Sequence, residues 1–186
     1  MAEFYLHHRY SEDIDLFTLD VNSFQAIVQD IPAIANEIGS TWSAGAVAEN
    51  FRSVFFQRSS EPSLKIDLVR EVGPQFGDKP HYDRWFVDAE LNIAVNKVTA
   101  LFGRAAEKDF ADLYFMLRGK YTLEQLLPLA KEKDPGLIEF FFAGMLQRVA
   151  KLKSLPRMIQ PLTLAELSAF FLPLAEQIML KTKPPE

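Results

Sequence analysis

The periodicity of this chain changes once, and that change sets the kind of fold it can adopt. Phe51 to Arg58 and Leu64 to Val69 are rich in β-branched and aromatic residues, and Ser59-Ser60-Glu61-Pro62-Ser63 between them is turn chemistry. They read as neighbouring antiparallel strands. Gly73 to Asp83 is polar, carries Gly and Pro, and reads as a loop. Beyond it Val95, Val98, Leu101 and Phe102, and then Phe110, Leu113, Tyr114 and Leu117, recur at helical spacing. Thr122-Leu-Glu-Gln125 and Thr163-Leu-Ala-Glu166 are capping boxes, and Asp134-Pro135 reads as an N-cap followed by Pro at the first helical position. The expectation is an α/β (α+β) chain: a small mixed sheet with flanking helices in residues 1–88, then a helical part in residues 89–186.

Within the first part, residues 2 to 9 read as the last turns of a helix that feeds a short buried strand at about 14 to 19. Asn22 and Gln25 form a plausible capping pair for a helix to about Glu37, which Pro32 should kink or split and Gly39 should close. The strand carries Ser11-Glu12-Asp13-Ile14-Asp15-Leu16-Phe17. Successive strand side chains alternate in direction, so Asp13 and Asp15 share one face, roughly 6 to 7 Å apart at Cα, while Ile14 and Leu16 take the other. Two carboxylates so placed suit Mg²⁺, which takes hard oxygen ligands and keeps waters and substrate phosphates as the rest of its shell. An Asp-x-Asp pair is also common in solvated loops. Asp67, between Ile66 and Leu68 in the second strand of the hairpin, puts a third carboxylate on a sheet.

Several classes of protein are excluded. With 186 residues, 48% hydrophobic and 24% charged, the chain has the apolar surface for a folded core and no disorder signature. It contains no cysteine, so a disulfide framework, a thiolate zinc site and a cysteine nucleophile are all ruled out. Its three histidines, His7, His8 and His81, do not form a zinc-ligand pattern, and no Gly-x-Ser-x-Gly turn or phosphate-binding Gly-x-x-x-x-Gly-Lys loop occurs. No apolar run approaches the 18 or so residues that span a bilayer, and no signal peptide is legible, so no membrane association and a cytoplasmic location are expected. The net charge of −5 disfavours a protein that coats nucleic acid with its whole surface. Arg148, Lys151, Lys153 and Arg157 nonetheless make one stretch basic; a solvated helix face is the simpler account, and an RNA-contacting surface the alternative.

The helical part holds a second group of charged residues. Lys97 and Arg104 stand seven apart and so fall on nearly the same helix face, where they could hold a polyphosphate or be ordinary surface cations. Asp109 reads as a cap at the start of the next helix, and Asp112, one turn on and off the centre of the apolar stripe, could face a cleft or solvent.

Taken in order, His8-Arg9-Tyr10-Ser11-Glu12-Asp13-Ile14-Asp15-Leu16-Phe17, then Lys65-Ile66-Asp67, Lys97-Val98-Thr99-Ala100-Leu101 with Arg104, and Lys108-Asp109-x-x-Asp112-Leu113 resemble the AbiEii-type abortive-infection nucleotidyltransferases. These are toxins of bacterial toxin-antitoxin systems within the polymerase-beta-like nucleotidyltransferase superfamily, and the resemblance runs from about residue 2 to about residue 120. It implies a nucleotidyltransferase core whose cleft the helical part completes. It implies Mg²⁺ on Asp13 and Asp15, with Asp67 as the third carboxylate. Lys97 would contact the nucleotide phosphates with Ser11 and Arg104, and Asp109 or Asp112 would be the later acid of the site. The implied reaction moves a nucleotide from a nucleoside triphosphate to an acceptor, often RNA such as a tRNA 3′ end, and a cognate antitoxin opposes it.

The family carries a Gly-Gly or Gly-Ser pair before the Asp-x-Asp strand, where backbone N–H groups at a helix N-terminus hold the triphosphate. Here the sequence starts at Met1-Ala2-Glu3-Phe4, after the place where that pair is expected. A late-assigned start, a truncation or a loss of transfer activity is the expectation this raises, with a weakened sheet edge as its structural consequence. Two other readings stand beside the enzyme: a non-catalytic relative kept as a binding module, and an interaction protein whose acidic surface meets a basic partner.

Overall fold

The β-rich runs form a four-stranded sheet of order β1-β4-β3-β2, from strands β1 (Asp13–Thr18), β2 (Thr41–Ala48), β3 (Phe51–Gln57) and β4 (Leu64–Arg70). The computed structural model describes residues 2–83 and 85–182, with Trp85 described by its backbone alone. Strand β1 runs parallel to β4, and the other neighbours are antiparallel, which makes the sheet mixed as expected. Contacts divide the chain into two compact units, Ser11–Gly73 and Met1–Tyr10 with Pro74–Glu186.

In the sheet unit, helix α1 (Val21–Glu37) lays Phe24, Val28, Ile31 and Ala35 against Val54 and Phe56 of β3 and Ile66 and Leu68 of β4. Those helix positions are four, three and four apart, one stripe of an amphipathic helix. The cap differs from expectation: Asp20, not Asn22, is the N-cap, and its Oδ2 accepts from Ser23 N at 2.6 Å. Pro32 does not split the helix, because it lies on the exposed face, where the carbonyl it leaves without an amide partner can bond water. Gly39, at φ +63°, ends it: Gly39 N donates to Asn36 O and Ser40 N to Ala35 O, the paired bonds of a left-handed helix stop. Strand β1 is not buried as expected. It lies at the sheet edge, and Ile14, Leu16 and Phe17 are 44, 40 and 43% exposed.

In the other unit, residues 2–9 form only a five-residue π-helical segment, Ala2–Leu6, after which His7 turns at φ +47°. The loop from Gly73 carries a two-residue ladder, β5 (His81–Tyr82) with β6 (Trp85–Phe86). Helices α2 (Glu90–Gly103), α3 (Glu107–Gly119), α4 (Leu123–Lys133), α5 (Glu139–Leu146) and α6 (Leu164–Lys181) follow. Their core contains Leu101, Phe110, Leu113, Leu126, Phe142, Leu146, Leu167 and Phe171, all fully buried. Phe110 and Phe171 meet edge to face at 5.2 Å, and each such side chain contributes about 1.5–3 kcal/mol by burial. Asp134 is not an N-cap: it closes α4 and accepts from Gly136 N at 3.0 Å, so α5 starts later, at Glu139. No helix among the described residues is long and apolar enough to cross a membrane.

Both capping boxes form. At α6, Thr163 Oγ1 accepts from Glu166 N at 3.1 Å and Glu166 Oε2 accepts from Thr163 N at 2.8 Å. Thr163→Ala leaves one of these amides without its cap and is expected to lower stability by about 1 kcal/mol, read as a lower urea midpoint at unchanged slope.

Candidate functional site

Strand register brings the sheet carboxylates together. Asp13 pairs with Lys65 and Asp15 with Asp67 across the parallel ladder, while Ser53 of β3 pairs with Asp67 across the antiparallel one. One carboxylate oxygen from each of Asp13, Asp15 and Asp67 lies within 4.8 Å of the others. Asp67 is buried, and both its oxygens are held: Ser53 Oγ donates to Oδ1 at 2.7 Å and Lys65 Nζ to Oδ2 at 2.6 Å. The same ammonium stands 3.9 Å from Asp13 Oδ2. Three like charges at this spacing repel one another unless a cation sits among them. Lys65 holds such a place on a flexible stem, and the all-oxygen donor set is the chemistry a hard divalent ion takes. Ser11 lies just before β1 in the chain, exposed, its hydroxyl donating to Asp13 O at 3.1 Å.

Gly45 of β2 keeps this face tight. A Cβ there would come 2.8 Å from Phe55 Cε2 and 3.0 Å from Ser53 Cβ, the residue that anchors Asp67. Gly45→Ala must push Ser53 or Phe55 aside and is expected to cost about 1–3 kcal/mol in chemical denaturation.

The helical unit holds a separate charged group, built around two buried acids of α3. Asp112 is fully buried and receives four donors: Arg9 Nε at 2.6 Å and Nη2 at 2.9 Å, His8 Nε2 at 2.8 Å, and Lys97 Nζ at 2.7 Å. Burial alone pushes this carboxyl up, but the bonds from His8 and Arg9 and the charges of Lys97 and Arg9 outweigh it and hold the group far below the ordinary carboxylate range. Asp109, also fully buried, binds Arg104 in a fork, Nε to Oδ2 at 2.7 Å and Nη2 to Oδ1 at 2.9 Å, with Lys97 Nζ 3.4 Å from Oδ1. Lys97 and Arg104 therefore do share a face, and Asp109 is where they meet. Arg104 reaches it from the tight turn between α2 and α3, where Ala105 takes φ +49°.

These positions correct two expectations. Asp109 does not cap α3, whose N-cap is Ala106; it stands inside the first turn with its carboxylate on the cations of α2 and the turn. Asp112 faces neither cleft nor solvent but is enclosed. Sequence reasoning passed over His8 and Arg9 as partners of Asp112, and Ser53 as the anchor of Asp67. The available signal was the adjacent His8-Arg9 at the head of the ordered motifs. His8 Nε2 donates to the carboxylate, its Nδ1 is buried without a partner, and its carbonyl accepts from Ile159 N and Gln160 N. The network thus ties the N-terminal segment to α2, α3 and the stretch before α6.

Comparison with known proteins agrees with this geometry. The family model described as "Nucleotidyl transferase AbiEii toxin, Type IV TA system" matches residues 1–182. Among solved structures, a candidate nucleotidyltransferase from H. pylori superposes with a TM-score of 0.56 at 18% identity, covering 96% of this chain and 82% of that one. JHP933 from Helicobacter pylori superposes with a TM-score of 0.51 at 17% identity, covering 96% of this chain and 79% of that one. At such identities the likeness speaks for the fold alone. No curated protein matches at a significant level. The family match over nearly the whole chain is the decisive finding: this chain belongs to the AbiEii nucleotidyl transferase toxin family of type IV toxin-antitoxin systems.

Proposed function

We propose that this protein transfers a nucleotide from a nucleoside triphosphate to an RNA acceptor, such as the 3′ end of a tRNA, in the cytoplasm, using Mg²⁺ and opposed by a cognate antitoxin. The observation that carries the reading is the convergence of Asp13, Asp15 and Asp67 on one sheet face in a chain of this family. Those three carboxylates would hold the ion, and bound Mg²⁺ supplies Lewis-acid charge to the triphosphate. Lys65 gives up its place beside Asp67 by swinging its flexible stem outward. Asp67, oriented by Ser53, positions the acceptor hydroxyl and takes its proton. The hydroxyl oxygen then bonds to the α-phosphorus, and the bond to the bridging oxygen breaks to release pyrophosphate.

Lys97 and Arg104 are assigned to the phosphates, where fixed cations stabilise charge as it moves onto the leaving group, and Ser11 to the nucleotide. Asp109 and Asp112 act as positioning residues, since both are fully buried and hold the ends of those cations. The test is incubation with labelled nucleoside triphosphates, Mg²⁺ and bulk tRNA. Label should pass to RNA with the wild type and not with Asp13→Asn. Equal labelling by both proteins would sink the assignment.

A further inference from the structure

Four cations and no acid lie between Phe140 and Ala165, in a protein whose net charge is −5. They are Arg148, Lys151, Lys153 and Arg157, and all four are exposed. Elsewhere, exposed cations meet acids: Lys120 with Glu90 at 2.6 Å, Lys131 with Glu139 at 2.6 Å, and Arg58 with Glu61 at 3.7 Å. Among the described residues these four make no ion pair.

The segment is not the solvated helix face expected from its sequence. After one short turn, Gln147–Lys151, the chain leaves helical geometry at Leu152, with φ −65° and ψ 136°. Val149 is buried, and Leu152 and Leu155 pack against the helical core, so the intervening cations point outward. The backbone is held in place. Tyr10 N donates to Arg157 O at 2.9 Å, Arg9 bridges to Met158, and Ile159 N and Gln160 N both donate to His8 O. At the end of the row the Arg157 guanidinium lies 4.0 Å from the centre of the Tyr10 ring, and Tyr10 is 45% exposed.

We propose that Arg148, Lys151, Lys153 and Arg157, with Tyr10, form a surface that binds the sugar-phosphate backbone of RNA. Unpaired cations on a fixed, extended backbone neutralise successive phosphates, and an exposed aromatic at the end of the row offers a stacking face for a base. Stacked on Tyr10, Arg157 keeps its N–H edge free for a phosphate fork. Nucleic acid fits better than an anionic membrane, because no large apolar residue between Arg148 and Arg157 is exposed to enter a lipid interface. The inference rests on RNA being the acceptor, and it names the surface that holds that acceptor away from the reacting phosphate.

The experiment is fluorescence anisotropy of a labelled single-stranded RNA and of bulk tRNA across a salt series, with the full-length protein. The probe variant is Arg148→Gln/Lys151→Gln/Lys153→Gln/Arg157→Gln, whose unfolding midpoint should match the wild type because no ion pair is broken. Each lost phosphate contact lowers the slope of log affinity against log salt by about 0.7, so the slope should fall by about 2 to 3, with affinity down roughly tenfold or more at physiological salt. Tyr10→Leu should weaken single-strand binding by about tenfold while leaving the slope unchanged. RNA binding that the quadruple variant leaves intact, the absence of RNA binding, or patch-dependent binding to phosphatidylserine vesicles in place of RNA would each overturn the proposal. Binding and label transfer are read separately. Patch-dependent RNA binding without transfer would count against the enzyme reading alone, and transfer with patch-indifferent binding against this surface alone.

Discussion

Asp112→Ala is expected to lower the stability of the helical unit by about 3–5 kcal/mol, the usual cost of removing one partner from a buried ion network. The carboxylate is fully buried and satisfies Arg9 through both oxygens, His8 through one and Lys97 through the other. Its removal leaves a buried guanidinium and a nearly buried ammonium without their counter-charge. Such a loss is a large share of the 5–15 kcal/mol that holds a typical domain together, so the variant should show a much lower denaturant midpoint. Asp112→Asn tests whether charge or shape matters, because the amide fills the same space but cannot accept from all four donors. A variant as stable as the wild type would show that the network contributes nothing net.

Acid should act on the same group. Asp112 is held below its ordinary range in the folded protein, so its contribution is fully present above the pKa of an unfolded carboxylate, near 4, and is lost as pH falls below that value. The wild type should therefore destabilise steeply below about pH 4, and Asp112→Asn less steeply over the same window. Parallel stability curves for the two proteins would show that other groups govern acid unfolding.

The second large effect falls on transfer and not on stability. Asp13→Asn and Asp15→Asn should each reduce nucleotide transfer by about a thousandfold or more, since the charge stabilisation a bound cation supplies is worth several kcal/mol of barrier. Stability should hold or rise slightly, because one of three mutually repelling carboxylates is removed. Mg²⁺ should raise the melting temperature of the wild type, as any ligand of the folded state does, and fail to raise that of either variant. A wild type whose melting temperature ignores Mg²⁺ would remove the metal from the site.

The parts of this fold that were legible in sequence are those set by neighbours along the chain. Period-two alternation placed Asp13 with Asp15 and Asp67 on sheet faces, and both Thr-headed capping boxes formed as written. Strand β2 was not legible, since Ser43-Ala44-Gly45-Ala46 lacks the β-branched residues that mark a strand. Its Gly45 is there for close approach to Ser53, which only the sheet reveals. The Asp134-Pro135 pair carried a genuine N-cap signal, yet the same Asp-Pro-Gly chemistry also closes a helix with a turn, and packing chose the turn.

By itself, then, the sequence determined the fold class, the family resemblance and the three sheet carboxylates, because each depends on local spacing that a few consecutive residues specify. Only the tertiary structure decided what surrounds the charges. Asp112 meets His8 and Arg9 from more than a hundred residues away, Lys97 spends its charge between two buried acids, and Arg148 to Arg157 is an outward row of cations and not a helix. Burial and pairing are set by which surfaces come together in three dimensions, and no periodicity along a single chain contains that information.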